Sequence, residues 1–484
     1  MTVVERPPSR SGAGDAGDLD ALLGAGTAAE LRVATAAAPD LDPVALFAAA
    51  RELDLEAALW LQPTAGLALV GIGRAWAVEP AGPGRFEAAS AAWRALLAGT
   101  ATQAADGARS LPPGAGPILL GGLGFGGEAP PPGDPWAPFG PASLVLPELT
   151  LARTPDGTHV TAALAPGLDA GAPRVLARRW ERLAGRAREL APAPGAVVAR
   201  PAGAPLGVVA EQPDRAAWDR LVGLFAGAVG RGRLDKVVLA RRVGLRAPVE
   251  LDIPNALRRL AAAGPESTTF AFARGAATFL GATPERLVRT EGRAFRTVAI
   301  AGSAPRGSDP AEDERLAAGL LADDKEREEH AVVVDMLRAS LAPLAEDLQV
   351  APAPTVLRLR HVQHLATQVA GTLREEAGLL ALAARLHPTP AVGGEPRGPA
   401  LALLAEHEGF ERGWYAGPVG WIGADGDGEL MVALRSGIVE GQAATLFAGC
   451  GIVADSDPAR EWEESRLKLR PVASALGRLE EAGG

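Results

Sequence analysis

The sequence predicts an α+β fold in which antiparallel sheets are covered by helices. Short strand-like runs follow one another at 268–275, 277–284 and 293–303, separated by turns that contain Gly or Pro. A long helical pattern then covers 309–344 and begins with an Asp-Pro pair. Series of strands followed by long helices are typical of α+β folds. With 484 residues, 48% of them apolar, the chain is long enough to bury a large core.

The first part of the chain is predicted to form an N-terminal half, residues 18–205. Residues 1–17 before it are polar and rich in Gly and Pro, so we expect a disordered N-terminal segment. Within the half we predict a helical stretch at 42–59, strands at 66–73 and 117–127, and an irregular Pro-rich loop at 128–141. The Ala- and Pro-rich stretch 190–205 is the predicted connection to the second half.

Residues 206–484 form the predicted C-terminal catalytic region, where the patterns are stronger. A helix at 218–232 ends at glycine and leads into a strand at 236–245, before the strand series and the long helix described above. Two further strand-like runs follow at 428–441 and 443–454, and a last helix begins at the Asp-Pro pair 457–458.

The composition excludes several classes of protein. The net charge of −10 argues against a nucleic-acid partner, which would favour a basic surface. The single cysteine, Cys450, excludes an internal disulfide and a multi-cysteine zinc site, and it suits the reducing cytoplasm. The polar N-terminus lacks the apolar stretch of a signal peptide, and no run of about 18 residues is free of charge, Gly and Pro. We therefore expect a cytoplasmic protein with no membrane partner.

Lysine is rare in this chain, so the positions that keep it are informative. Of 48 basic residues only Lys236, Lys325 and Lys468 are lysines. Arginine cannot release its proton near neutral pH, whereas a buried lysine can. A lysine retained in this background is a candidate for proton transfer, although chance alone could also leave three.

One helix of the long pattern carries a candidate metal ligand. Glu329 shares a helical face with the apolar residues Val333 and Met336, so its carboxylate would extend an apolar stripe inward. A buried carboxylate needs a metal, a hydrogen bond or a basic partner. A glutamate at the edge of the stripe that turns back to solvent is the alternative.

The last helix carries a second candidate. Glu461, Glu464 and Lys468 fall at i, i+3 and i+7 and share one face. An acidic first turn also complements the helix dipole, so an ordinary surface helix is the alternative. If this face meets that of Glu329, their oxygen ligands would suit Mg²⁺.

A candidate base and acid lie elsewhere in the C-terminal region. Lys236 begins a strand, and Glu285 lies in the turn after a strand, next to a proline. On opposite sides of a cleft the two could act as base and acid, but their spacing is not specific, and a surface position is the alternative for Glu285.

Other residues of possible chemical use stand singly. Tyr415 is the only tyrosine, and Arg435 is suited to clamp a carboxylate. His361 and His364 alternate on a short polar segment, which is awkward for a core position. Cys450 lies among glycines, and we interpret it as a packing residue.

Taken together, these motifs resemble the chorismate-utilising enzymes: the isochorismate, salicylate, anthranilate and aminodeoxychorismate synthases. The resemblance covers about residues 215–475 and is weaker upstream. It rests on eight motifs in the family's order: "DKVVLARR", "GATPERLVR", "AIAGSAPRG", "ADDKEREEH", "HVQHLATQ", "HPTPAVGG", "GWYAGPVGW" and "GCGIVADSDPAREWEESRLK". The fold it implies is the chorismate-binding, aminodeoxychorismate synthase-like fold, with two packed antiparallel sheets flanked by helices.

The resemblance implies a set of site residues. Glu329 and Glu464 match the family's magnesium ligands, and Glu461 supports the ion through its water shell. Lys468 and the backbone near Gly449 and Gly451 match contacts to the ring carboxylate of chorismate. Tyr415 and Arg435 match residues that hold the enolpyruvyl carboxylate, and the backbone of Gly302 approaches the substrate. Ser303, His364 and Ala366 complete the implied substrate site.

Three positions imply water addition. Lys236 stands where isochorismate and salicylate synthases keep a lysine that activates water, with Glu285 as the acid. Ala301 stands where aminodeoxychorismate synthases often have a lysine nucleophile, and Ala366 where isochorismate synthases have alanine. Ser303 in place of threonine, and Cys450, are departures that we interpret as packing variation. The implied activity is Mg²⁺-dependent isochorismate synthesis: reversible addition of water at C2 of chorismate with loss of the C4 hydroxyl, an isomerase reaction.

Other functions remain open at this point. A salicylate synthase would also eliminate pyruvate from isochorismate. An aminating anthranilate or aminodeoxychorismate synthase would need ammonia. A non-catalytic regulator would bind chorismate without converting it. For the implied enzyme we expect a monomer that takes chorismate without a glutaminase subunit. Whether its product serves menaquinone or siderophore biosynthesis does not follow from the sequence.

Overall fold

The computed structural model describes residues 16–24, 30–104, 111–169, 171–193, 205–358 and 362–480. Two expectations fall largely outside these ranges: the N-terminal segment up to residue 15 and the connection 190–205 beyond residue 193. The N-terminal segment was predicted to be disordered up to residue 17, but a helix already begins at Ala16. Among the described helices, none is both long and apolar enough to cross a membrane.

The helices lie mainly on the outside of the molecule. In chain order they are α1 (Ala16–Leu23), α2 (Pro43–Glu52), α3 (Arg85–Ala98), α4 (Ala172–Leu190), α5 (Arg215–Gly230), α6 (Ile253–Ala263), α7 (Pro310–Ala322), α8 (Asp324–Leu341), α9 (Leu379–Leu386), α10 (Arg397–His407) and α11 (Pro458–Leu476), with short 3₁₀ turns at Pro63–Ala65 and Ala342–Leu344. Six of them, including α8 and α11, begin at an aspartate whose carboxylate accepts a backbone N–H, the usual N-cap arrangement.

In the described residues, fifteen strands lie in the first half and the early part of the second half of the chain. They are β1 (Leu31–Ala37), β2 (Ala57–Gln62), β3 (Leu67–Ile72), β4 (Trp76–Val78), β5 (Thr100–Ala104), β6 (Ile118–Leu123), β7 (Ala142–Leu146), β8 (Leu149–Thr154), β9 (Gly157–Leu164), β10 (Pro205–Gln212), β11 (Lys236–Arg246), β12 (Thr268–Arg274), β13 (Ala277–Thr283), β14 (Arg286–Glu291) and β15 (Ala294–Pro305). The later strands are β16 (Ala345–Val350), β17 (Thr355–Arg358), β18 (Val362–Leu373), β19 (Gly394–Glu395), β20 (Pro418–Gly423), β21 (Gly428–Val432), β22 (Ser436–Glu440), β23 (Ala443–Ile452) and β24 (Arg478–Leu479).

Within the described residues these strands form two large sheets. The first has 14 strands in the order β24-β10-β11-β23-β22-β13-β12-β2-β3-β8-β9-β1-β5, with β19 paired to β11. The second has 10 strands in the order β16-β18-β15-β14-β21-β20-β6-β7-β4, with β17 paired to β18. Nearly all neighbours are antiparallel; the exceptions are β1 with β5 and β10 with β24. The predicted α+β class, with two antiparallel sheets flanked by helices, is confirmed.

Both sheets contain strands from both halves of the sequence. In the first sheet β2 pairs with β12, and in the second β6 pairs with β20. Residues 18–205 and 206–484 therefore both contribute strands to each sheet. We keep this division only to describe positions along the chain.

The main core lies between the two sheets. Strand β12 shows how the pleat supplies it: Phe270 and Phe272 point into the inter-sheet core, while Ala271 and Ala273 point to the helices on the other side. Strands covered on both faces are buried along their whole length, as β2, β3 and β12 are. A third, smaller cluster packs α5, α10 and the start of α11 against β11 and β23. This cluster lies directly behind the site described below.

Three element boundaries differ from prediction. The helix predicted over 42–59 ends at Glu52, and the strand β2 begins at Ala57, because the chain turns at Leu53–Asp54. The helix predicted over 309–344 is two helices, since Asp323 ends α7 and caps α8. The single strand predicted over 428–441 is β21 in one sheet and β22 in the other. The chain crosses between the sheets at Arg435, whose φ is +49°.

Candidate active site

The predicted site residues come together beside the point where the chain crosses between the sheets. The charged groups that act on the Lys236 amine are Lys468, Glu285, Glu464 and Glu329. Together with Lys236 they come from four different elements: the start of β11, the turn between β13 and β14, α8 and α11. The structure thus brings the predicted base, acid and carboxylates to one cleft.

Lys236 is the predicted base and lies at the first position of β11. Burial, followed by the positive charge of Lys468, lowers the pKa of its amine, while the three glutamates act in the opposite direction. The neighbouring strand makes room for it: a Cβ at Gly451 would lie 2.4 Å from Lys236 Cε and 3.1 Å from Nζ. Gly451 therefore leaves room for the lysine stem, in addition to the substrate contact predicted for its backbone.

Glu285 is the predicted acid. Burial raises the pKa of its carboxyl, and Lys236, Lys468 and Arg435 pull that pKa down to a lesser extent. Its backbone is fixed on both sides: Val432 N donates to Glu285 O at 2.9 Å, and Glu285 N donates to Thr283 Oγ1 at 3.3 Å. The acid thus occupies a fixed turn between the two sheets.

Tyr415 and Arg435 lie next to each other in the cleft wall. Tyr415 is buried and stacks on Phe447 with ring centroids 5.4 Å apart. Burial raises the pKa of its hydroxyl and lowers that of the Arg435 guanidinium, which Tyr415, Glu285 and Glu464 partly offset. The tyrosine hydroxyl lies 3.1 Å from the place that a Cβ of Gly449 would occupy, so that glycine allows the close approach.

Gly302 and Ser303 form a bulge in β15. Gly302 has φ +75°, which favours glycine, and the register with β18 shifts between Ala301 and Ser303. Ser303 N donates to Glu326 Oε2 at 2.9 Å. His364, opposite Ser303 in the register, places Nδ1 2.9 Å from Ser303 Oγ and 3.2 Å from Gly302 O. The bulge is held from both sides.

The remaining residues of β18 surround this bulge. Ala366 is buried and pairs with Ile300, so it lies beside the part of β15 that leads to the bulge. Burial lowers the pKa of His364, which favours the neutral ring at neutral pH. His361 lies outside the described residues.

The opening turns of α11 carry the acidic face predicted from the sequence. Glu464 Oε1 lies 2.6 Å from Lys468 Nζ, which also donates to Gly449 O at 2.9 Å. Glu461 accepts a hydrogen bond from Ser456 Oγ at 2.9 Å. Burial, followed by the neighbouring Glu464, raises the pKa of Glu461.

Glu329 is the predicted ligand that differs most from expectation. Its side chain is 56% exposed and lies 3.9 Å from Lys325 Nζ on the same helix. The helix α8 instead buries the face of His330, Val334, Leu337 and Leu341. Glu329 therefore points to the open cleft instead of extending the buried stripe.

The carboxylates fit a hard divalent cation. Within the described residues, the group whose potential ligand atoms lie within 4.8 Å of one another is Cys450, Glu461 and Glu464, without Glu329. Cys450 is buried, donates its S–H to Glu461 O at 3.2 Å, and burial raises its pKa, so it stays a neutral thiol. The oxygen donors that remain match the preference of Mg²⁺.

Sequence reasoning missed Glu326. Its carboxylate holds the bulge at Ser303 and would lie 3.0 Å from a Cβ at Gly302. The available signal was its position three residues before Glu329, on the same side of the helix.

The fold and the cleft define an enzyme that moves protons on a small anionic substrate. A lysine of lowered pKa and a glutamic acid of raised pKa share a cleft with two further cations and a carboxylate cluster. The family model described as "Chorismate binding enzyme" matches residues 23–477. The chain belongs to the chorismate-binding enzyme family.

Several bacterial isochorismate synthases are similar to this protein over nearly the whole chain. The salicylate biosynthesis isochorismate synthase of Pseudomonas aeruginosa is 37% identical, covering 91% of this chain and 90% of that protein. The isochorismate synthase MenF of Bacillus subtilis is 32% identical, covering 90% and 91%. Among solved structures, the menaquinone-specific isochorismate synthase MenF of Escherichia coli superposes with a TM-score of 0.73 at 28% identity, covering 92% and 94%.

Proposed function

We propose that this protein is an Mg²⁺-dependent isochorismate synthase that converts chorismate to isochorismate reversibly. The observation that carries the proposal is the pair Lys236 and Glu285. The two groups share one cleft, and their pKa values are shifted in opposite directions, toward a neutral amine and a protonated carboxyl. Those are the forms that a base and an acid need at neutral pH.

The proposed chemistry gives each of these two groups one proton transfer. The neutral Lys236 amine takes a proton from the water that adds to C2 of the ring. Glu285 gives its proton to the C4 hydroxyl, which leaves as water, so one water enters and one leaves. Each of the two ring double bonds shifts by one position along the path from C2 through C1, C6 and C5 to C4. The proton gained by Lys236 balances the proton given by Glu285, and the net reaction is an isomerisation.

The other residues bind and orient the substrate. Lys468 and the backbone at Gly449 and Gly451 contact the ring carboxylate, while Tyr415 and Arg435 hold the enolpyruvyl carboxylate. The backbone at Gly302 and Ser303 approaches the ring, with His364 and Ala366 behind it. Their common contribution is orientation and charge balance in a partly dry cleft.

Glu464, Glu461 and Glu329 would hold the metal. Mg²⁺, when bound, supplies positive charge next to the ring carboxylate. Since Lys468 stands 2.6 Å from Glu464, the cation site and the carboxylate site are adjacent, which supports a role of the metal in substrate binding.

We further propose that the enzyme acts in the cytoplasm as a monomer, without a glutaminase subunit. Lys236 supports the last point, because a group that activates water makes a supply of ammonia unnecessary. The buried free thiol of Cys450 suits a reducing compartment.

Product analysis tests the proposal. The purified protein is incubated with chorismate and Mg²⁺, and the products are identified by liquid chromatography and mass spectrometry. We expect isochorismate at equilibrium with chorismate and no release of pyruvate. Salicylate with pyruvate would identify a salicylate synthase, an aminated product formed only with ammonia would identify an aminating enzyme, and binding without turnover would identify a regulator.

A further inference from the structure

Helix α11 turns one face to the cleft and another to the core. Trp462 and Ser465 are buried, whereas Glu464 and Lys468 emerge beside them on the cleft side. Because successive residues are about 100° apart around a helix, the contacts of Trp462 and Ser465 set the direction in which Glu461 and Glu464 point.

Arg241 makes the central contacts with that buried face. Its guanidinium carbon lies 3.5 Å from the centroid of the Trp462 ring, and Nη1 donates to Ser465 Oγ at 3.2 Å. Its Nη2 donates to Glu211 Oε1 at 2.5 Å, so the guanidinium is held by a carboxylate from β10 as well. The side chain is 1% exposed, and burial lowers its pKa to about 10, which still leaves it charged at neutral pH.

A second contact reinforces the first. Trp218 of α5 meets Trp462 with ring centroids 5.9 Å apart at 70°, and its Nε1 donates to Pro458 O at 3.2 Å. Trp462 is thus enclosed between an arginine and a second tryptophan, and the first turn of α11 is tied to α5.

Arg241 also lies on the strand that begins with Lys236. Strand β11 alternates its side chains, so Lys236 points to the cleft and Arg241, five positions on, points to the helices behind. One strand therefore carries the base on one face and the anchor of the carboxylate helix on the other.

We infer that Arg241 is a positioning residue for the metal-binding and substrate-binding face of α11. Through Trp462 and Ser465 it fixes the rotation of α11 about its axis, and with it the positions of Glu461, Glu464 and Lys468 relative to Lys236. This inference rests on the proposed function of the cleft. Catalytic groups must be held within about 0.5 Å, and a misplacement of about 1 Å can cost on the order of 100-fold in rate.

The chain offers a matched control in Arg242. This neighbour makes contacts of the same three kinds, with Gln212 at 2.9 Å, with Asp134 at 3.1 Å and over the Phe410 ring at 5.3 Å. It points to the opposite face of β11 and has no contact of these kinds with α11. Arg242→Met therefore removes comparable interactions without touching the helix.

The experiment compares Arg241→Met and Arg242→Met with the wild type. Mg²⁺ binding is measured by calorimetry in the presence of chorismate, and kcat and KM are measured separately, with Tm as a check of folding. For Arg241→Met we expect Mg²⁺ affinity to fall about 10-fold and kcat about 100-fold. Arg242→Met should keep wild-type affinity and kcat. Equal values for the two folded variants would overturn the inference.

A second variant and a second measurement cover the remaining outcomes. Arg241→Lys keeps the charge but lacks the planar group that stacks on Trp462, so we expect an intermediate loss. Crystal structures of the wild type and of either Arg241 variant report the helix directly. An unchanged α11, with Lys468 Nζ still 2.9 Å from Gly449 O, contradicts the anchoring even if the wild type does not convert chorismate. Failure of the wild type to produce isochorismate contradicts only the proposed function.

Discussion

The two walls of the cleft differ in how far water reaches their charged groups. On the strand-borne wall, burial is the main influence on both Lys236 and Glu285, and it moves both groups toward their neutral forms. On the helix-borne wall, Glu464 is 49% exposed and Glu329 is 56% exposed. Glu464 pairs with Lys468, four residues later, and Glu329 pairs with Lys325, four residues earlier. The comparison shows one wall suited to proton transfer and another suited to exchange of a hydrated cation.

The largest effect is expected on the buried wall. Lys236→Ala removes the base, and we expect kcat to fall by on the order of 1,000-fold, within the range for general-base catalysis. Binding of chorismate with Mg²⁺, measured by calorimetry, should persist because the helix-borne groups are intact. Lys236→Arg should be as inactive as the alanine variant, because arginine keeps the charge but cannot give up a proton.

The pH dependence gives a second readout for the same variants. Lys236 acts when deprotonated, so activity rises as the pH passes its lowered pKa. Glu285 acts when protonated, so activity falls as the pH passes its raised pKa, and the product of the two is a bell-shaped profile of kcat/KM. Loss of the rising limb in Lys236→Ala supports the role of base. Restored activity in Lys236→Arg would instead show that the lysine contributes charge.

The exposed wall should respond through the metal. Glu464→Gln removes the charge of a proposed ligand and leaves Lys468 without its carboxylate partner, so we expect Mg²⁺ affinity to fall about 100-fold, with activity partly recovered at high Mg²⁺. The measurement is kcat/KM as a function of Mg²⁺ concentration.

Glu463→Gln is the matched control, one residue away. Glu463 pairs with Arg466 at 3.1 Å on the outer side of α11, and such a surface pair contributes little. An equal loss of Mg²⁺ affinity in both variants would mean that the general negative charge of the helix, and not Glu464, binds the ion.

The sequence was sufficient to predict the acidic face of α11 but not the direction of Glu329 on α8. The acidic face of α11 follows from spacing alone, because i, i+3 and i+7 positions share a side in any helix. The direction of Glu329 could not be derived in this way, since α8 buries the neighbouring stripe of His330, Val334 and Leu337 where it packs against β15, β16 and β18. Which stripe is buried is decided by tertiary packing.

The same reason explains the strand at 428–441 that was predicted as continuous. Apolar residues stand on both sides of Arg435 with no proline between them, yet the chain leaves one sheet at Val432 and enters the other at Ser436. The pairings that divide it, β21 with β14 and β22 with β13, join segments more than 130 residues apart. Arg435 was predicted as a carboxylate clamp from its residue type, and the family resemblance added the enolpyruvyl carboxylate as its partner. Its place at the crossing explains why it reaches the cleft.

The smallest effect is expected at Gly451, which leaves room for the Lys236 side chain within the strand-borne wall. Gly451→Ala would place a Cβ 2.4 Å from Lys236 Cε, so the lysine stem must move. Because that stem is flexible and can partly recover its position, we expect kcat to fall by about 10-fold, less than the 100-fold that a fixed displacement of about 1 Å can cause. Mg²⁺ affinity should stay at the wild-type value, since α11 is untouched.

Gly223→Ala is the control: among the described residues, no atom outside the adjoining helix backbone lies within 4 Å of a Cβ added at this helical glycine. It should raise Tm slightly and leave kcat unchanged. A Gly451→Ala variant with wild-type kcat would show that the position of the lysine stem is not what limits proton transfer, and the space that Gly451 leaves for that stem would then have no part in the reaction.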